Sequence, residues 1–158
     1  MRKKVYAREL LANPESVPEL QCLVPAGAEL NERGIDLCKN LRWHAEHNDT
    51  CARIRHYCFM SPSLFTKNAH IVPQSADLVI VGAQHRNTIT SCIVLREGDF
   101  VLTNSGSIYG IADEATEEEL VRLYPMLVYD MVKGTPERNR IMEVSKRMYP
   151  QIQYKEDE

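Results

Sequence analysis

The stretch from Asp77 to Ala112 constrains the fold most, because its apolar runs and its turn residues specify one kind of structure. Leu78 to Val81, Thr88 to Arg96, Phe100 to Thr103 and Ile108 to Ala112 are short runs rich in β-branched and aromatic residues. Gly98 with Asp99 separates the second run from the third, and Asn104-Ser105-Gly106-Ser107 separates the third from the fourth. Gly and Asn tolerate the positive φ that hairpin turns require. The connection from Gly82 to Asn87 is looser. The stretch therefore reads as a four-stranded antiparallel β-meander, at about 77–112. Antiparallel neighbours put the loop at Gly82 to Asn87 and the turn at Asn104 to Ser107 at one end of the sheet, with the Gly98 turn at the other. His85, Arg86 and Asn87 are expected beside Asn104, Ser105 and Ser107.

Helical patterns flank the meander. Leu30, Leu37, Leu41 and His44 form one stripe, with Glu32, Asp36, Lys39 and Arg42 mostly off it, which predicts a helix. Asn48-Asp49-Thr50 either frays that helix or caps a second one over Cys51 to Phe59. Ser61-Pro62 reads as the start of a short turn, and Ile71-Val72-Pro73 as a lead into the sheet. Thr116 followed by Glu119 has capping-box spacing, and Leu120, Tyr124, Leu127, Val128 and Met131 continue an apolar face that Pro125 must kink or split. Thr135-Pro136 opens a last helix with Ile141, Val144, Ser145 and Met148 inward, stopped at Pro150. In residues 1–28, Val5 to Leu11 reads as an edge strand or short helix and Cys22 to Val24 as a short strand. Helices, then strands, then helices make an α+β fold with helices from the N-terminal half and from 116–148 packed on the sheet. The expectation is a single domain over 1–150 and a disordered acidic tail at 151–158.

A chain of 158 residues with 44% apolar content supports one core burying roughly 70% of the unfolded surface. The 19 Lys and Arg stand against 22 Asp and Glu, so no whole-chain basic field favours nucleic acid. No apolar run approaches the roughly 18 residues that cross a bilayer, and the charged start Met1 to Glu9 does not resemble a secretory signal. Five cysteines without a C-x-x-C pair fit reduced thiols in a cytoplasmic protein.

Three constellations could carry chemistry. On a helix unbroken from Gly34 to Phe59, His44, His47, Cys51 and Cys58 would share an arc of roughly 60°. Those are zinc-type ligands, but they spread along a helix, Cys38 lies off the face, and the spacing matches no zinc signature. Small core thiols beside Leu41 and Ile54 are the favoured reading, with no metal and no cofactor expected. The second group is His85, Arg86, Asn104, Ser105 and Ser107 at the sheet end. A guanidinium fork, neutral donors and an imidazole together suit a phosphate or carboxylate. The third, Arg53 to His56, is a small basic cluster that Glu46 and Asp49 could neutralise. Cys92 falls mid-strand and reads as structural, and no G-x-S-x-G, P-loop, H-E-x-x-H or dinucleotide fingerprint occurs. The chain therefore reads as an intracellular binding protein that regulates or inhibits another macromolecule, with a protein partner or a small anionic ligand and no membrane. The alternative is an enzyme acting on a phosphate- or carboxylate-bearing small molecule at the sheet end, Arg86 holding the anion and His85 moving a proton.

Overall fold

The computed structural model describes residues 4–16, 24, 28–47, 53–61, 64–65, 79–83, 87–125 and 127–151. The fold is mixed α+β, and the described residues form a six-stranded sheet and four α-helices. Its strands are β1 (Arg53–Met60), β2 (Val79–Ala83), β3 (Asn87–Ile89), β4 (Ile93–Glu97), β5 (Phe100–Thr103) and β6 (Ile108–Glu114). Its helices are α1 (Glu32–Glu46), α2 (Glu117–Leu123), α3 (Leu127–Asp130) and α4 (Pro136–Met148). Spatial order in the sheet is β3-β2-β1-β6-β5-β4, antiparallel throughout except for the parallel pair β1 and β6.

That order forces the sheet to close. β3 and β4 lie at its two ends, yet only Thr90, Ser91 and Cys92 connect them. In a flat sheet the outer two of six strands would stand roughly 24 Å apart at about 4.8 Å per step. The four Cα steps from Ile89 to Ile93 reach at most about 14 Å. The sheet must curl into a barrel, with β3 and β4 as two halves of one bent strand. Counted so, the barrel has an odd number of alternating strands, and first and last run the same way; hence the parallel register Ile54 to Ile111.

Burial follows from closure. Ile54, Ile80, Ile93, Val101 and Ile111, one from each of β1, β2, β4, β5 and β6, form one cluster and are each 2% exposed or less, with no helical residue among them. They fill the inside of the barrel. Outward residues build two further clusters. Val79, Val81 and Cys92 pack with Leu120, Val128 and Ile141 of α2, α3 and α4. Val94, Phe100 and Leu102 pack with Leu41 of α1 and with Val5 to Leu11. Among the described residues, no helix is long and apolar enough to cross a membrane.

Several elements follow the sequence pattern. Asn31 caps α1, its side chain accepting from the Gly34 amide at 3.0 Å. Thr116 caps α2 by accepting from the Glu119 amide, Thr135 caps α4 with Pro136 in its first turn, and the run through Pro125 splits into α2 and α3. Val5 to Leu11 takes the short-helix alternative, as a 3₁₀ turn over Ala7–Leu10.

Two expectations are corrected. The four-stranded meander is instead a three-stranded one, β4-β5-β6, because the run from Thr88 to Arg96 bends and pairs with β2 before the bend and β5 after it. The helix expected over Cys51 to Phe59 is the strand β1 from Arg53 onward. A bulge at His56, at φ +51°, shifts the register between Arg55 and Cys58. Inward-facing Ile54 and Tyr57 are therefore three residues apart, a helical spacing in a strand. The expectations for Cys22–Leu23, Asn48–Thr50, Pro62, Ile71–Pro73 and the tail from Ile152 lie outside the described residues.

Gly82 is the tightest point of closure. A Cβ there would sit 2.3 Å from Ile54 Cγ2 and 3.0 Å from the Arg55 carbonyl oxygen. Gly82→Ala should lower unfolding free energy by about 3 kcal/mol, since overpacking a closed interior has no outlet. Gly98→Ala meets no atom within 4 Å and strains only its φ of +58°, so it should cost about 1 kcal/mol. Urea denaturation of the two variants checks the ranking.

Candidate functional site

At the turn between β5 and β6, four hydroxyls converge. Ser105 Oγ lies 2.9 Å from Thr103 Oγ1 and 3.4 Å from Ser107 Oγ, and it accepts from Ser91 Oγ at 3.1 Å. The backbone fixes this arrangement. The Asn104 amide donates to the Cys92 carbonyl at 2.9 Å, and the Asn104 carbonyl accepts from the Val5 amide at 2.8 Å. Gly106, at φ +84°, turns the chain so that its amide reaches the Thr103 carbonyl at 3.0 Å. Thr103 is fully buried and Ser105 exposed, so the cluster presents one hydroxyl outward.

Of the expected sheet-end group, the structure brings Ser105 and Ser107 together, with Asn104 beside them in the backbone of the turn. Their neighbours at the bend are Ser91 and Cys92, while Asn87 pairs through its backbone with Ala83 in the β2–β3 hairpin. His85 and Arg86 lie outside the described residues. Neutral hydroxyls alone are a weak anion trap, and these hydroxyls spend part of their capacity on each other.

The His and Cys strip does not form, because α1 ends at Glu46 and Cys58 stands on β1. Cys51 lies outside the described residues. Burial pushes the Cys58 thiol above its ordinary pKa of 9.0, with Glu114 and Glu117 adding to the shift. Burial and Glu97 do the same for Cys38 against the opposing pull of Arg42. Both thiols stay protonated near neutral pH, the wrong state for a nucleophile. Since the folded pKa is the higher one, these thiols leave stability untouched below pH 9.0 and reduce it as pH rises past that value. The basic cluster is on a strand rather than a helix. Arg53 lies 5.7 Å from the centroid of the Phe100 ring, and Arg55 pairs with Asp113 at 3.4 Å; Asp49 lies outside the described residues.

A second surface was not anticipated. On the outer side of α1, Ile35, Lys39 and Trp43 follow one another at four-residue spacing and are all exposed, Ile35 by 44% and Trp43 by 47%. Trp43 is the only tryptophan of the chain. Its ring stacks on His47 at 4.4 Å and 15°, and meets His44 edge-on at 5.1 Å. His47 Nδ1 lies 3.0 Å from the Trp43 carbonyl oxygen, which ties the imidazole to the same turn. The signal was present in the sequence: Ile35 and Trp43 are large apolar residues off the Leu37–Leu41 stripe.

Compared with protein-family models, with curated proteins and with solved structures, the chain matches none of them.

The hydroxyl cluster can be graded by burial. Thr103→Val removes a hydroxyl bonded to Ser105 and to the Ser107 carbonyl inside the fold and should cost about 1–2 kcal/mol. Ser105→Ala, at the exposed tip, should cost about 0.5 kcal/mol. Denaturant midpoints of the two variants test this order, and iodoacetamide should label Cys58 more slowly than glutathione at pH 8, gaining rate as pH rises.

Proposed function

We propose that this protein acts in the cytoplasm by binding, as a regulator or inhibitor of another macromolecule, and that the outer face of α1 meets the partner. The exposure of Trp43 on the same side of α1 as exposed Ile35, about two turns away, carries this reading. Single exposed apolar residues are ordinary, but a tryptophan in register with an isoleucine on one helix face is the kind of anchor that dominates protein interfaces. The histidine stack adds to it. An indole held against His47 has already lost much of its rotamer freedom, so docking it costs less entropy. Charge along the same face is mixed, with Lys39 and Glu46 exposed, which suits a protein partner better than a polyanion.

The second reading is an enzyme acting on a phosphate- or carboxylate-bearing small molecule at the sheet end, with His85 and Arg86 as its charged groups. It is favoured by the hydroxyl convergence at Ser91, Thr103, Ser105 and Ser107.

A photo-crosslinking phenylalanine analogue at position 43, in cells of the source organism, should give one discrete protein adduct. The same group at Leu123, exposed on α2, should not. Trp43→Ala should leave stability within about 1 kcal/mol of wild type, because the ring stands largely in water. It should weaken binding of the captured protein by at least about 2 kcal/mol, the scale of an anchor residue. No adduct at 43 together with an adduct at 105 would move the site to the sheet end.

A further inference from the structure

A cavity of ≈ 200 Å³ opens where the end of β1 meets the first turns of α2 and α4. Its floor is apolar, made by Met60, Leu64, Met131 and Ile141, with the Cys58 thiol beside them. Its rim is charged. Glu117, Glu137 and Arg140 stand around it, and Arg140 is already committed, its Nε 2.6 Å from Glu117 Oε1. Glu137 has no ion partner among the described residues, and Glu114 lies close enough to act on the Cys58 thiol. The cleft therefore carries excess negative charge above an apolar floor.

Two features of this cleft narrow its occupant. The acidity of Glu117 and Glu137 has a local reason, since both sit in first turns where the helix dipole favours a carboxylate. That reason does not account for an apolar hole between them. The volume is below the roughly 300 Å³ at which small-molecule and cofactor pockets begin, and it matches one long side chain. An unbranched apolar stem ending in a cation satisfies both floor and rim. A lysine satisfies both with the longest unbranched apolar stem of the cationic side chains, laid on the floor, and a compact ammonium for the Glu137 carboxylate, since Glu117 is already engaged by Arg140.

We propose that this cleft receives a lysine side chain of the protein partner, its stem on Met60 and Met131 and its ammonium at Glu137. The proposal rests on the binding reading and adds a second point of contact to the α1 face. Thioether side chains suit the role, because they adapt their shape to an inserted chain.

The test uses the full chain with ¹³C-methyl methionine, the two signals assigned through Met60→Leu and Met131→Leu, and Nα-acetyl-lysine N-methylamide as the probe. Both methyl signals should shift saturably with the lysine probe and not with its norleucine counterpart. Glu137→Gln should weaken the effect by about fivefold, the upper range for one partly exposed ion pair, while Glu143→Gln, exposed further along α4, leaves it unchanged. Equal shifts with norleucine, no shift with lysine, or indifference to Glu137→Gln would each overturn the proposal. Failure here with a partner still captured at position 43 rejects the cleft alone, whereas loss of that capture with the lysine effect intact rejects the α1 reading.

Discussion

Thr90, Ser91 and Cys92 hold the two outer strands of a six-stranded sheet within a few residues of each other, and the architecture follows from that short link. The link is secured on both sides. Thr90 exchanges bonds with Ile80, its amide donating to the Ile80 carbonyl at 2.9 Å and its hydroxyl accepting from the Ile80 amide at 3.0 Å. Two residues later, the Cys92 carbonyl accepts from Asn104. Within that step the chain changes ladder partners, from β2 to the β5 side. A barrel closed in this way has a filled interior, and its narrowness leaves no room for a side chain at Gly82.

Closure also decides where recognition can happen. The inner face of the sheet is consumed by Ile54, Ile80, Ile93, Val101 and Ile111, and much of the outer face is covered by helices or by the chain from Val5 to Leu11. What remains for a partner is the outer side of the helices, the turns at the barrel ends, and seams between elements. The three candidate surfaces fall in those three places: Trp43 on α1, Ser105 at a turn, and the acidic cleft between β1, α2 and α4. α4 is fastened to its neighbours mainly by packing, with Ile141 and Val144 buried and Arg138 donating from Nε to the Val128 carbonyl at 3.1 Å. The exposed pairs Arg140–Glu117 and Arg147–Glu118 add little to that.

Local chemistry was legible wherever a residue acts on its own neighbours. The caps at Thr116 and Thr135, the break at Pro125, the positive φ at Gly98 and Gly106, and the inward stripe of α4 all involve groups within a few positions of each other. The candidate site was legible in part for the same reason. Ser105 and Ser107 meet because one turn holds both, and Ser91 joins them only because the bent strand passes the turn at that point.

By itself the sequence determined the starts of α2 and α4, the break at Pro125, the hairpin turns and the α+β class, since these depend on turn geometry, capping and short-range periodicity. Only the tertiary structure decided that Arg53 to Met60 is a strand, that the sheet has six strands and closes, and which polar residues become neighbours. A bulge gives Ile54 and Tyr57 the same three-residue spacing that a helix would. Local pattern cannot separate the two; the parallel pairing with β6, 57 positions away at Ile54 to Ile111, does. The same holds for Trp43, whose side of α1 stays exposed because the sheet has only one face to offer that helix and Leu41 takes it.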